Sequence, residues 1–384
     1  MLSLRGLRRY PGTEESIDMR IIRQRLTHAA LAFPLLLTGC GGEGGGDGSS
    51  STPIVVAPAP APSPSPTASV PAPSPSPTSA PTPTSVVVPP APPRPASWAA
   101  GAAALYTSAP DVPGCRTGTL AQAVKDDVLL RMNALRALHG LAPVTYNEAD
   151  DAQMMQSSLM MAANGALEHT PPSTWKCWSQ TGYDGSSTGN LYGGTISPFL
   201  VWSTEDDFIG GWMTEVNNLI ANNVGHRRWM LDPFLGKIAY GRVAQVLADG
   251  KRTDAATLKV FNFTGGVPAP STVPAFVAYP QGDYPARWFD TRALLSFSAI
   301  SSTASRGANG NVSFANATIT VRDPGGTALA VSEVSFDNVG YGIPNNLQWK
   351  LAGLQSNVRY AVTIANVRVA GAARTYDYTF RIVP

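Results

Sequence analysis

Proline sets how much of this chain can pack. Of 34 prolines in 384 residues, 17 fall between Thr52 and Ser97, alternating with Ala, Ser and Thr. Proline has no N–H to give a helix or a sheet, and its ring holds φ near the polyproline II value. Such a run is extended and unpacked, reaching about 140 Å at roughly 3.1 Å per residue. With the Gly/Ser-rich stretch Gly41–Ser51 before it, residues 40–97 read as a disordered tether. A proline-rich ligand for a recognition domain is the rival reading and suits cytosolic signalling better. Trp98 to Pro384 remains, enough for two ordinary domains with cores.

The segment ahead of the tether reads as an export signal. Arg20, Arg23 and Arg25 precede an apolar run from Ala29 to Leu37. The run is far shorter than the roughly 20 residues that span a bilayer, and it ends in small residues. Leu37-Thr38-Gly39-Cys40 resembles a lipobox, which implies that Cys40 is acylated and becomes the first mature residue. An ordinary secretory signal with an incidental cysteine is the alternative. Met19 is a better start than Met1, so residues 1–39 read as leader plus signal. Gly41 stands where an inner-membrane retention signal has aspartate, leaving the outer membrane as the default. The expectation is a bacterial cell-envelope protein, lipid-anchored, with its folded part extracytoplasmic.

Charge narrows the partners. Six of the 28 basic residues and three of the 26 acidic ones precede Cys40, leaving 22 and 23 in the exported chain. Near-neutrality argues against a nucleic-acid surface. Of the three cysteines, Cys115 and Cys177 remain after Cys40. In an oxidising compartment a disulfide between them is the economical reading, with two free buried thiols as the alternative.

Residues 98–266 alternate helices and then end in strands. Leu120, Val124, Val128, Met132 and Leu135 share one face of a helix over Thr119–His139, stopped by Gly140. Asn147 opens a second helix ended by Gly165, and Glu205–Ile220 predicts a third. Strands are predicted over Lys237–Val246 and Thr257–Phe263. Glu215 sits at the edge of the third helix's apolar stripe, where a buried carboxylate needs a partner. His139 at the end of the first helix is explained by the helix dipole. His169, in Leu167-Glu168-His169-Thr170, and His226, in Gly225-His226-Arg227-Arg228-Trp229, are the other histidines of the folded part. Two imidazoles and a carboxylate in one cleft have the chemistry to hold a divalent cation. A Glu–His hydrogen bond between helices explains them equally well.

Leu130-x-x-Asn133-x-x-Arg136-x-x-x-Gly140-Leu141-x-Pro143-Val144, the His169 turn, Trp212-x-x-Glu215 and Gly225-His226-x-x-x-Met230 together resemble the CAP superfamily of cysteine-rich secretory, antigen 5 and pathogenesis-related proteins. The resemblance implies an α-β-α sandwich with a cleft of two histidines and two glutamates. His169 and His226 match the metal-binding histidines, and Glu215 matches one acid. The other acid belongs in a Gly-Glu-Asn triplet, and this chain has Thr188-Gly189-Asn190. Gly189 supplies neither charge nor proton, so a cation (Zn or Mg) is expected to be weakly held or absent, and acid–base chemistry loses a partner. Asp184, Glu205 and Asp206 are candidates to substitute.

Three other features are weighed. Gly185-Ser186-Ser187-Thr188-Gly189 fits Gly-x-Ser-x-Gly, but a serine nucleophile there needs a strand before it and a helix after; loop is expected on both sides. Met154, Met155, Met160 and Met161 read as core rather than Cu(I) ligands. Trp175, Trp178, Tyr183, Tyr192 and Trp202 suggest either an aromatic groove or loop packing.

Residues 267–384 carry about seven short alternating runs, from Leu294–Ser298 to Tyr376–Val383, which predict an immunoglobulin-like β-sandwich. Leu354 followed by Tyr360 resembles a tyrosine corner. The expected fold class is thus α+β, a CAP-like α-β-α sandwich followed by an all-β immunoglobulin-like sandwich. The expected function is binding of an envelope or extracellular lipid, glycan or protein without catalysis. The alternative is a metal-dependent or acid–base hydrolase using His169, Glu215 and His226.

Overall fold

The structure, a computed structural model, describes residues 78–79, 86–218, 224–267 and 273–384. The export signal, Cys40, most of the proline-rich run and Leu219 and Ile220 of the expected third helix lie outside the described residues.

In chain order the elements of the first half are β1 (Thr78–Ser79), α1 (Trp98–Ala104), β2 (Tyr106–Ser108), β3 (Thr119–Leu120), α2 (Gln122–Leu138), β4 (Thr145–Tyr146), α3 (Asp151–Asn164), α4 (Gln180–Ser187), β5 (Gly189–Ser197), α5 (Glu205–Thr214), α6 (Gly225–Met230), β6 (Lys237–Ile238), β7 (Tyr240–Val246) and β8 (Arg252–Lys259). The sheet β5-β8-β7 is antiparallel throughout. Its alternation buries Thr253 and Thr257 towards α3, where Thr253 Oγ1 donates to the Ala162 carbonyl. The opposite face carries Tyr192 against Phe208 and Trp212 of α5. Helices on both faces make the α-β-α layering. α3 comes so close to β7 that a Cβ on Gly241 would stand 2.2 Å from the Met154 carbonyl carbon. Only glycine permits that approach.

The predicted apolar face of α2 is buried, with Val128, Met132 and Leu135 at 1% exposure or less. All four methionines of α3 are buried, as core. The third helix is shorter than its periodicity suggests: α5 stops at Thr214 and Glu215 turns left-handed. The stretch read as loop around Ser187 is α4 followed by β5. Cys115 and Cys177 are joined as a disulfide across 62 residues.

The second half contains β9 (Phe276–Tyr279), β10 (Gly282–Pro285), β11 (Leu295–Ala299), β12 (Val312–Ser313), β13 (Thr318–Arg322), β14 (Val331–Asp337), β15 (Asn346–Leu351), β16 (Arg359–Val369) and β17 (Ala372–Val383). One sheet runs β14-β15-β11-β9, and the other is built on the β16–β17 pair. Phe276 and Phe297 of the first meet Tyr376 of the second, so the sheets face each other across an aromatic core. Tyr360 Oη accepts the Gln355 N–H at 2.9 Å, the hydrogen bond of a tyrosine corner. β9 and β10 extend the sandwich beyond the predicted strands. The architecture is α+β.

The two halves share a hydrophobic core from Trp98 to Ile382. The end of the proline-rich run is packed as well: Pro90 and Pro89 carbonyls accept from Arg131 and Arg287, so the chain is held before Trp98. Among the described residues no helix is long and apolar enough to cross a membrane.

His139 differs from its sequence reading. It is fully buried, with Nε2 3.4 Å from the Tyr284 hydroxyl, and burial pushes its pKa down to about 3. It is therefore neutral, and the dipole argument for a cation does not apply. The unfolded chain binds this proton near pH 6.5, so the stabilisation is complete above that pH and is lost as pH falls towards about 3. Burial lowers His169 as well, with the same sign. Urea unfolding at pH about 7.5 and about 5.5 is expected to show a loss on the order of 1 kcal/mol from buried His139, absent in His139→Phe. An unchanged midpoint in the native protein would contradict the buried neutral imidazole.

Candidate functional site

α3 ends on Gly165 in the left-handed conformation, and the chain turns back through His169. Nδ1 of His169 lies 2.9 Å from the Ser186 carbonyl. A carbonyl only accepts, so Nδ1 carries the proton and Nε2 keeps its lone pair. Ser186 is fixed in turn, its hydroxyl 2.8 Å from Ser157 Oγ, which reaches Thr257 Oγ1 at 2.9 Å. This buried hydroxyl cluster ties α3, α4 and β8 beneath the histidine. His169 is itself exposed, and neighbouring His226 adds to the lowering of its pKa after desolvation.

His226 is the second residue of α6. Its carbonyl accepts from Asn190 Nδ2 at 3.1 Å, which hangs the start of α6 on β5. Trp212 Nε1 donates to the Leu191 carbonyl at 2.9 Å and does the same for α5. Arg136, with no exposure, holds the other end of α6 by donating to the Met230 and Asp232 carbonyls, each at 2.9 Å. The resemblance motif residues Arg136, Asn190 and Trp212 are therefore positioning groups.

Glu215 caps α5 at φ 54°, a conformation unfavourable for a side chain with Cβ. It turns the carboxylate inward, leaving the side chain 3% exposed. Oε1 accepts the Arg227 main-chain N–H and Oε2 accepts Asn218 Nδ2, both at 2.9 Å. Oε2 is also 3.5 Å from His226 Nδ1, a long ionic contact. The structure thus brings His169, His226 and Glu215 into one neighbourhood, but the carboxylate is spent on holding α6.

Gly189 and Asn190 lie at the start of β5, both buried. A Cβ at residue 189 would meet Thr257 Cγ2 at 2.6 Å and the Leu258 carbonyl oxygen at 3.0 Å, so there is no room there for an acid. The candidate substitutes are engaged elsewhere. Glu205 pairs with Arg242 at 2.8 Å, Asp206 with Arg131 at 2.8 Å and Arg287 at 3.0 Å, and Asp184 accepts from Gln180. Among the described residues no group of three His, Cys, Asp or Glu side chains is placed to share an ion. Two imidazoles fall short of the three protein ligands a catalytic zinc uses, so this donor set does not fit a divalent cation.

Ser187 does not form a nucleophile elbow: it ends a helix and precedes a strand, the reverse order, and its hydroxyl donates to the Asp184 carbonyl. Of the five aromatics read either as a groove or as loop packing, three have distinct partners. Tyr192 stacks on Phe208, Trp202 stands edge-on to Trp98, and Trp178 Nε1 donates to Pro171. A different cluster is carried by α6, the helix of His226. Trp229 of α6 packs on Phe261, Phe263 and Tyr341, with centroids 4.4, 5.9 and 6.2 Å away. Those three partners stay 37–40% exposed. The Phe261-x-Phe263 pair was legible in the sequence only as the end of a strand, and Tyr341 comes from the other half of the chain. Lys259, opposite Gly189 in the sheet, was also missed; it is buried and donates to Gln153 Oε1 and Thr188 Oγ1, each at 2.8 Å.

Gly189→Ala is expected to cost about 1–3 kcal/mol through overpacking, read from the urea midpoint. A neutral Gly189→Ala would mean that the strand start has space for a side chain after all.

A family model described as CAP, Cysteine-rich secretory protein family, matches residues 129–245, which include His169, Gly189, Glu215 and His226. No curated protein matches the chain. Residues 129–245 are a CAP domain of the cysteine-rich secretory protein family.

Proposed function

We propose that this is an exported, lipid-anchored envelope protein whose CAP domain binds a lipid, glycan or protein ligand without catalysis. The observation that carries the reading is the state of Glu215: both carboxylate oxygens are occupied by structural donors, and the side chain is 3% exposed. A general base must be free to take a proton from substrate. The second acid is replaced by Gly189, where no side chain fits. The helix that carries His226 also bears Trp229 of a partly exposed aromatic surface, Trp229, Phe261, Phe263 and Tyr341, of the kind that supplies contact area at low entropic cost. Acylated Cys40 and the proline-rich tether would present that surface away from the membrane.

One observation favours hydrolysis as the second reading: the Nε2 lone pair of exposed His169 is available as a base. Thermal melting with envelope lipids and glycans separates the two. A ligand-dependent rise of a few degrees, lost in Trp229→Ala, is the expected result, with release from the membrane in Cys40→Ser. Absence of protection by every lipid and glycan, together with ester or peptide hydrolysis lost in Glu215→Gln but kept in Ser187→Ala, would replace binding with catalysis.

A further inference from the structure

Behind α6, a cavity of about 20 Å³ lies between the CAP domain and the β-sandwich. It is lined by Arg227, Arg228, Leu231, Val277, Ser296, Ser298 and Ile343. A water needs about 10–15 Å³ on this measure, so the space holds one small species. The polar part of the lining is two guanidinium groups and two hydroxyls, with no carboxylate.

Both arginines bring an unmet donor. Arg227 is 1% exposed and Arg228 5%, yet Arg227 Nη2 and Arg228 Nε have no hydrogen-bond acceptor among the described residues. Their other donors are placed: Arg227 Nε on the Met213 carbonyl, Nη1 on the Leu294 carbonyl and Ser296 Oγ, and Arg228 Nη1 on Asp337. Arg228 thus has a hydrogen-bonded counter-charge. For Arg227 the nearby carboxylate is Glu215, which favours its charge through space but accepts its main-chain N–H and makes no hydrogen bond to its guanidinium. The face of Tyr279, 3.6 Å from Arg227 Cζ, offers only partial compensation. A buried cation of this sort is costly until an anion joins it.

We propose that this cavity is a binding site for a monovalent anion of halide size, held by Arg227 Nη2 and Arg228 Nε with the hydroxyls of Ser296 and Ser298 beside it. Water fits the volume but brings no charge to a cavity lined by two guanidinium groups and no carboxylate. The anion would brace the segment that carries His226 against the sandwich.

The test uses the full chain. Crystals grown in sodium bromide are expected to show an anomalous peak within hydrogen-bonding reach of Arg227 Nη2. Melting at fixed ionic strength is expected to be a few degrees higher in chloride or bromide than in gluconate. In Ser298→Leu, which fills the cavity, that difference should vanish while the protein still melts cooperatively. A water alone in the bromide crystals overturns the proposal. A bromide peak without any halide-dependent melting marks an adventitious ion only, and overturns it equally.

Discussion

Arg227 is the side chain on which the remaining geometry hangs. It follows His226 in sequence and is almost wholly buried. It donates to Met213 at the end of α5 and to Leu294 and Ser296 of the sandwich, and it stacks on Tyr279. Guanidinium suits this role because its fixed fork of donors satisfies several carbonyls at once. Removing it would leave those carbonyls unpaired, at about 1–3 kcal/mol each. Its neighbour Arg228 repeats the design with Asp337 and the Ile343 carbonyl. Further links join the halves: Trp288 Nε1 to Asp206, and Arg306 to Asp232 at 2.6 Å. The sandwich is therefore part of what positions His226.

This arrangement fixes what Glu215 does in the fold. Here it is the acceptor that fixes the α6 backbone through Arg227 N–H, and Asn190 secures the same helix from β5. Beside Gly189 the space is filled by Thr257 and the main chain of Leu258, with Thr257 hydrogen-bonded into the Ser157 and Ser186 hydroxyl cluster. What remains accessible is His169 and an aromatic surface built from both halves.

Much of this was legible because it is periodic. The buried stripe of α2, the core methionines of α3, the Gly165 stop and the tyrosine corner all follow from spacing and residue type. Family motifs added the neighbourhood of His169, Glu215 and His226. The misses have a common physical cause, which is that tertiary contacts overrode a local rule. Apolar spacing carried α5 past Thr214, while Glu215 took a left-handed turn to reach Arg227. The Gly/Ser-rich composition of Gln180–Gly194 hid α4 and β5, whose small residues permit close packing against α3 and β8. His139 looked like a terminal cation, and Tyr284, 145 residues away, makes it a buried neutral ring. Nothing local announces Tyr341 beside Trp229.

The central claim is that a CAP site with one acid buried and the other missing retains ligand binding and not metal-assisted chemistry. Native mass spectrometry of the chain extracted from its membrane tests this most directly. The account predicts a co-purified organic mass, a lipid or a sugar, with no stoichiometric divalent ion. One divalent ion per chain, lost in His226→Ala, would contradict it and return the His169–Glu215–His226 set to catalysis.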